Sequence, residues 1–166
     1  MTPDLTVSLG GLRAKNPVMS ASGTFGYGVE YLPFYDISRL GAIVVKGLSR
    51  NPTAGNPPGR IVETAAGMLN AIGLQNIGVE RFIGDVVPRL EDAGATYVAN
   101  IYGRTVEEYE AVARRLSEVP SLGAIEVNAS CPNVKEGGIA FGATPEGIAE
   151  LTERVRRSTE IGRAHV

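Results

Sequence analysis

The chain has 166 residues, of which 43% are hydrophobic and 20% charged, a balance typical of a folded globular protein rather than a disordered or fibrous one. Its net charge of -2 comes without any basic run that could follow nucleic acid or an anionic membrane surface. A single cysteine excludes an internal disulfide, and neither a secretory signal nor an apolar stretch near the ~20 residues of a membrane span is visible. We therefore expect a cytoplasmic enzyme without nucleic acid or membrane partners.

The first predicted elements are a hairpin and a short strand that leads into a glycine-containing loop. Apolar and polar residues alternate over 5–9 before Gly10 and then Gly11, which predicts an N-terminal β-hairpin. Residues 17–21 form a compact run that predicts a buried strand. The loop that follows, 22–26, contains two glycines that let the backbone approach a ligand closely.

The second predicted strand, residues 42–46, is β-branched and ends in a charged residue. Lys46 follows four apolar residues and precedes Gly47, so its side chain is oddly placed for the core and is expected at the end of a strand. The segment 51–59, rich in Pro, Gly and Asn, predicts a long ligand-facing loop, with a small excursion strand over 60–64.

The remaining predicted elements alternate between helices and strands. They are a helix over 79–90 that Pro88 kinks or shortens, a strand over 95–100, a helix over 106–118 capped by Thr105, a strand over 124–128, and a helix over 145–157 capped by Thr144. This β–α order predicts parallel strands with helical crossovers. A doubly wound sheet and part of an eight-stranded barrel both fit it.

Polar residues at the strand ends favour the barrel, because barrel enzymes place their chemistry at the carboxyl ends of their strands. No GxGxxG follows the first strand, which weighs against a dinucleotide-binding domain. We therefore predict the α/β class and a (β/α)8 TIM barrel, of which about the first four βα units are present after the N-terminal β-hairpin. The polar residues are Ser20, Ser22, Lys46, Asn100 and Asn128.

The chain is expected to be the N-terminal half of its barrel, since a complete barrel takes roughly 250 residues. We assign residues 1–160 to that half. Residues 161–166 do not continue the preceding helix, and they match the translation of a common sequencing-adapter read, so we expect them to be an artefact. His165, the only histidine, therefore receives no functional role.

The lone cysteine, Cys131, is the candidate catalytic residue. It lies in the loop 128–133 (NASCPN) after a buried strand, where a thiol can act as a base or nucleophile if nearby positive charge stabilises its thiolate. The alternative is a small buried hydrophobe, the commoner role of a lone cysteine, but the polar neighbours favour the functional interpretation. One cysteine without a suitable histidine cannot form a zinc site, so we predict no metal.

The segment 128–138 (NASCPNVKEGG) resembles the catalytic loop of class 1 dihydroorotate dehydrogenases, in particular the class 1B form that uses NAD through a partner subunit. Three further segments, 16–24, 45–47 and 70–76, agree with that family in order and spacing. The resemblance covers residues 1 to about 160. It identifies the chain as similar to the catalytic subunit of such an enzyme, which oxidises dihydroorotate to orotate in pyrimidine biosynthesis.

The resemblance implies a role for each matching residue. Cys131 would remove a proton from C5 of dihydroorotate while a hydride passes from C6 to N5 of FMN. The FMN contacts would be Ser22, Lys46, Gly47, Asn100 and Asn128. The substrate contacts would be Lys46, Asn70, Ala71, Ile72, Gly73, Leu74 and Asn128. The partners implied are a second catalytic subunit, forming a homodimer, and a subunit that carries FAD and an iron–sulfur cluster.

Several alternatives remain open. Lys46 could be a solvated strand terminus, and Asn70 and Asn128 could be turn or capping residues. The family's other flavin contacts lie in the second half of the barrel, so we expect the fragment to bind FMN weakly or not at all and to be inactive. The competing functions are a dihydropyrimidine dehydrogenase-like reductase, a tRNA-dihydrouridine synthase-like enzyme, and a non-catalytic truncated chain.

The coding sequence is expected to continue beyond the codon for Glu160. Resequencing the genomic locus should replace the codons for residues 161–166 with others and extend the reading frame by about another half barrel, because only a closed barrel has no unpaired strand edge. A genomic stop codon directly after Val166 would contradict this expectation.

Overall fold

The computed structural model of the chain describes residues 3–130 and 141–161. It begins with the antiparallel hairpin of β1 (Val7–Leu9) and β2 (Leu12–Ala14), which confirms the predicted N-terminal hairpin. The chain turns at Gly10 with a φ of 59°, a left-handed conformation that suits glycine. Leu12 and Ala14 are buried, so β2 is the strand that packs against the rest of the chain.

Four of the remaining strands form the parallel sheet. In chain order the remaining strands are β3 (Met19–Ser20), β4 (Ala42–Val44), β5 (Ile61–Thr64), β6 (Gly67–Asn70), β7 (Tyr97–Ile101) and β8 (Ala124–Val127). The parallel sheet has the order β3-β4-β7-β8, with Val98 lying between Val44 and Ala124. This confirms the α/β class, and the consecutive parallel order fits a TIM-barrel family.

Helices follow the parallel strands as predicted. They are α1 (Val79–Arg81), a π-helical segment (Phe82–Val86) that continues into α2 (Val87–Asp92), α3 (Val106–Leu116) and α4 (Pro145–Arg157), with short 3-10 helices at Val29–Tyr31, Ile37–Arg39 and Phe141–Ala143. Pro88 lies in the first turn of α2, directly after the π-helical segment. The expected irregularity is therefore present, as a local change of helix type before the proline.

Threonine side chains cap α3 and α4, as the sequence predicts. The side chain of Thr105 accepts a hydrogen bond from the backbone N–H of Glu108 at 3.4 Å, and Thr144 accepts one from Gly147 at 3.1 Å. α3 ends at Leu116, two residues before the predicted end, because the chain turns at Ser117.

The parallel sheet has a different apolar cluster on each face, since successive residues of a strand point to opposite sides. The helices cover one face in the larger cluster, which includes Ile43, Ala99 and Ile125. On the other face, Val98 and Ala124 belong to a small cluster that Leu12 of the N-terminal hairpin covers. Side chains farther along β7 and β8 on that second face are therefore not part of the helix-packed core.

The hairpin of β5 and β6 stands apart from both clusters. All eight residues of its two strands are exposed. The sequence predicted only an excursion strand within a loop here, and the structure adds β6 as its antiparallel partner. Four of its large apolar side chains are 54% to 67% exposed: Ile61, Val62, Met68 and Leu69.

Arg154 of α4 forms ion pairs with two glutamates of α3, Glu107 and Glu110. Arg154 donates from Nε to Oε1 of Glu110 at 2.5 Å and from Nη2 to Oε2 at 3.1 Å. The hydrogen bond from Arg154 holds the pKa of Glu110 below its ordinary value of 4.5. A group with a lowered folded-state pKa stabilises the fold above its ordinary pKa, and this contribution is lost as the pH falls through the folded-state pKa.

Replacing Glu110 is expected to destabilise the full-length protein in a pH-dependent way. Glu110→Gln should lower the midpoint of thermal unfolding at pH 7, and the gap from the wild type should close as the pH falls below 4.5. Glu153→Gln is the control, because Glu153 pairs with Arg157 on an exposed helix surface, where an ion pair contributes little. A gap that stays constant with pH would contradict the role of the Glu110 carboxylate.

Candidate functional site

The carboxyl ends of β3, β4, β7 and β8 lie along one edge of the parallel sheet, and most of the predicted cofactor residues lie there. Ser22 follows β3 by two residues, and Lys46 follows β4 by two. Asn100 is the fourth residue of β7, and Asn128 comes directly after β8. Ser20 links β3 to β4 near this edge, because its Oγ accepts a hydrogen bond from the N–H of Val44 at 3.1 Å.

The hydrogen-bond ladder between β4 and β7 is interrupted at Lys46 and Gly47. The N–H of Val45 donates to the carbonyl of Val98 at 3.0 Å, and the next bond runs from Leu48 to Asn100 at 2.9 Å. Between these two bonds, the segment from Val45 to Leu48 thus has one residue more than the facing part of β7, and this extra residue makes a β-bulge. The N–H of Lys46 donates instead to the carbonyl of Gly26 at 2.8 Å, which ties the loop after β3 to this bulge.

Gly47 lies directly against the side chain of Asn100. A Cβ atom built on Gly47 would lie 2.9 Å from Oδ1 of Asn100 and 3.3 Å from Cδ1 of Tyr102. Any larger residue would therefore push Asn100 aside. Asn100 itself is only 4% exposed, and its Oδ1 accepts no hydrogen bond within residues 3–130 and 141–161.

The Nδ2 atom of the Asn100 amide contacts Glu126, a residue for which the sequence predicted no role. Nδ2 of Asn100 donates to Oε1 of Glu126 at 2.5 Å across the β7–β8 pair. Glu126 lies in the middle of β8 and is half-buried. The available signal was a carboxylate in an otherwise apolar strand, two residues before Asn128 and thus on the same face of the sheet.

The predicted substrate loop begins at the exposed hairpin. Asn70 ends β6, and its side chain forms no hydrogen bond with Lys46, Asn100 or Asn128 in the part of the chain described. The next residues turn sharply, with a φ of 76° at Gly73 and 55° at Leu74. A left-handed conformation is strained for leucine, so the surrounding contacts must hold it.

A buried asparagine, Asn76, holds this turn. Its Nδ2 donates to the carbonyl of Leu74 at 3.1 Å and to the hydroxyl of Tyr102 at 2.7 Å, while its Oδ1 accepts from the N–H of Gly78 at 2.8 Å. The hydroxyl of Tyr102 also donates to the carbonyl of Leu74, at 2.9 Å. Since Tyr102 also lies beside Gly47, these contacts connect the substrate loop to the bulge.

A second tyrosine supports the same turn. The hydroxyl of Tyr27 accepts a hydrogen bond from the N–H of Ile77 at 3.2 Å. Burial raises the pKa of Tyr27 above its ordinary value, which favours the neutral hydroxyl. No role of Asn76, Tyr102 or Tyr27 could be predicted from the sequence, because their contacts join segments far apart along the chain.

Cys131 lies outside the residues described, so its side chain is not located. The flanking residues are held, because the backbone N–H of Gly142 donates to the carbonyl of Ala129 at 3.1 Å. Asn128 also accepts two hydrogen bonds, one to its carbonyl from the hydroxyl of Tyr109 at 2.7 Å and one to its Oδ1 from the N–H of Ser130 at 3.2 Å. The described residues on the two sides of 131–140 thus lie close to each other, beside Asn128.

Two observations concern metals and membranes. In the described ranges, no three His, Cys, Asp or Glu side chains come together as a metal site would require. None of the helices in these ranges has the length and apolar character to cross a membrane.

A family model described as "Dihydroorotate dehydrogenase" matches residues 4–162. The chain belongs to the dihydroorotate dehydrogenase family. The match includes every residue assigned above to FMN or substrate.

Two bacterial relatives are similar over almost the whole chain. Both are named "Dihydroorotate dehydrogenase B (NAD(+)), catalytic subunit". The protein from Geotalea daltonii is 54% identical over 157 residues, which cover 95% of this chain and 52% of that protein. The protein from Pelobacter propionicus is 52% identical over 160 residues, covering 96% and 53%. The chain therefore spans about half the length of these dihydroorotate dehydrogenases.

A solved structure shares the fold. It is the crystal structure of DHODH in complex with ferulenol from Eimeria tenella, with a TM-score of 0.69 and 21% identity. The match covers 95% of this chain and 44% of that one. At this identity the likeness concerns the fold alone, and it supports a place for the parallel sheet within a dihydroorotate dehydrogenase fold.

Asn76 is expected to contribute more to stability than an exposed asparagine near the same loop. Asn76→Ala should lower the free energy of unfolding of the full-length protein by about 2–3 kcal/mol, because buried donors around it lose their partner. The control is Asn56→Ala, which removes only an exposed hydrogen bond to the carbonyl of Ala71 and should cost less than about 1 kcal/mol. Urea denaturation measures both, and equal losses would contradict the assignment.

Proposed function

We propose that the full-length protein oxidises dihydroorotate to orotate with FMN, as the catalytic subunit of a class 1B dihydroorotate dehydrogenase in pyrimidine biosynthesis. One observation carries this proposal. Gly47, Asn100 and Asn128, which match flavin contacts of the family, lie at one edge of the sheet, and the amide oxygen of Asn100 accepts no hydrogen bond from the described residues. This oxygen is therefore available to accept a hydrogen bond from a ligand.

The residues at this edge fit a flavin. Because Gly47 has no side chain, the amide of Asn100 can lie directly beside the bulge, at the edge where the flavin would bind. Ser22, Lys46, Gly47, Asn100 and Asn128 are the residues that would hold FMN. When bound, FMN supplies the hydride acceptor, which no protein side chain can provide.

Lys46 would supply the positive charge of the site. It is half-buried, it follows the last apolar residue of a buried strand, and its backbone is fixed by the bond to Gly26. An ammonium group held at this position can pair with the carboxylate of dihydroorotate. The same charge stabilises negative charge that develops on the flavin ring as it is reduced.

The loop from Asn70 to Leu74 would bind the rest of the substrate. Asn70 offers an amide donor and an acceptor to a pyrimidine ring, which presents both kinds of group. Asn76 and Tyr102 hold the left-handed turn at Leu74, so the backbone of the loop is positioned before substrate arrives. Such positioning lowers the entropic cost of binding and reaction.

Cys131 would be the base. Its Sγ, as the thiolate, takes the proton from C5, and the pair of electrons freed there forms the C5–C6 double bond as the hydride leaves C6. The support for this role is the family match of the loop, together with the anchoring of its two ends beside Asn128.

The remaining assignments are also proposals. Residues 1–160 would form about the first four βα units of a flavin-binding TIM barrel, and 161–166 would be a sequencing artefact. The fragment alone would bind FMN weakly or not at all and be inactive, because it spans about half the length of its relatives. The intact subunit would be cytoplasmic, form a homodimer, and pass electrons to NAD through a subunit with FAD and an iron–sulfur cluster. The relatives' printed names, which include "catalytic subunit" and "NAD(+)", support a second subunit and NAD as the acceptor.

Cys131→Ala is expected to abolish reduction of the flavin by dihydroorotate in the full-length protein. Loss of a general base lowers the rate by about 10²–10⁴-fold. Cys131→Ser should keep a little activity that rises with pH, because a hydroxyl is a much weaker acid than a thiol. Anaerobic stopped-flow absorbance measures flavin reduction, and the FMN content of each variant is the control.

Two results would count against this function. An unchanged reduction rate in Cys131→Ala would refute the base assignment. A flavin-loaded wild type that dihydroorotate cannot reduce would exclude the substrate and favour one of the other pyrimidine reductases.

A further inference from the structure

Glu126 is a carboxylate where the packing of β8 predicts an apolar residue. Its three neighbours in the strand, Ala124, Ile125 and Val127, are at most 3% exposed. By the alternation of the strand, Glu126 shares a face with Ala124, on the side of the sheet away from the helices. A carboxylate is placed in such surroundings at a cost, so its hydrogen-bond partner decides what it does.

That partner is Asn100. The two residues are neighbours in the parallel register, and Nδ2 of Asn100 lies 2.5 Å from Oε1 of Glu126. An ionised carboxylate only accepts hydrogen bonds, so the NH₂ group of the amide must face Glu126. The amide oxygen of Asn100 then faces the other way, towards Gly47.

The orientation of this amide determines what the site offers to a ligand. With Oδ1 beside Gly47, the site presents an acceptor. If the amide were rotated by 180°, it would present a donor there and turn its oxygen against the Glu126 carboxylate. A charge-assisted hydrogen bond is stronger than a neutral one, so Glu126 selects the first orientation.

We propose that Glu126 is a positioning residue that fixes the amide of Asn100 with its oxygen towards the flavin, so that the site accepts a hydrogen bond from the ring's imide N–H. The inference rests on the proposed function, because it takes FMN as the ligand of this edge. Glu126 acts through Asn100. The described structure shows no hydrogen bond or ion pair between Glu126 and any other residue.

The first test is a double-mutant cycle on the affinity of the full-length apoprotein for FMN, followed by quenching of flavin fluorescence. Glu126→Leu is expected to weaken binding about tenfold, which is the loss of about 1.4 kcal/mol. In an Asn100→Ala background, the same change should have almost no effect, because the amide that it orients is gone. Glu126→Gln is the matched control, since its amide oxygen can still accept from Asn100, and it should stay within about threefold of the wild type.

The second test exchanges the two groups and does not depend on Glu126→Leu folding. Asn100→Asp sets two carboxylates against each other and should weaken FMN binding at least about thirtyfold. Adding Glu126→Gln restores an amide–carboxylate pair, now with the amide at position 126 and the carboxylate at position 100. An acceptor then still lies beside Gly47, and the affinity for FMN should rise again by at least about tenfold. Thermal unfolding of each apoprotein separates loss of fold from loss of binding.

The outcomes separate this inference from the function on which it rests. Failure of the wild type to bind FMN would overturn the proposed function. If the wild type binds FMN, equal effects of Glu126→Leu with and without Asn100 would overturn the positioning role. The absence of any recovery in the Asn100→Asp/Glu126→Gln protein would overturn it as well.

Discussion

The parallel pairing of β4, β7 and β8 is the constraint on which the candidate site depends. Parallel strands end at the same edge, so one sheet brings together Lys46, Asn100 and Asn128 from segments separated by about 30 to 50 residues. The same pairing sets Asn100 opposite Glu126 and fixes which atoms of the amide face the edge. Backbone hydrogen bonds in the apolar part of the sheet thus determine the position of each of these polar groups.

Side chains also connect the edge of the sheet to the loop that ends at Leu74. Tyr102 follows β7, contacts the bulge at Gly47 and donates to the carbonyl of Leu74 in the substrate loop. Asn76 closes this arrangement from the loop side. The edge of the sheet at the bulge and the loop from Asn70 to Leu74 are therefore parts of one hydrogen-bonded unit, although only the first lies in the parallel sheet. Rigid support of this kind keeps reacting groups at fixed distances.

The sequence predicted the elements well where local chemistry determines them. Thr105 and Thr144 cap helices as expected, and polar residues mark the strand ends. The sequence did not predict β6, because the exposed hairpin has no buried face that would require apolar and polar residues to alternate. It also gave no role to Glu126 or Asn76, because their meaning depends on strand register and on contacts across 26 residues of chain. The position of Cys131 relative to the edge stays a prediction.

The bulge after β4 has a consequence for the evolution of this edge. A chain one residue shorter between Val45 and Leu48 would have an uninterrupted ladder with β7, and it would gain regularity. It would also lose either the lysine or the glycine that lies against Asn100. Deletions are usually tolerated between secondary structure elements, but here a deletion would remove a residue of the bulge beside Asn100. The length of this segment therefore determines what lies beside Asn100, just as the identity of Gly47 does.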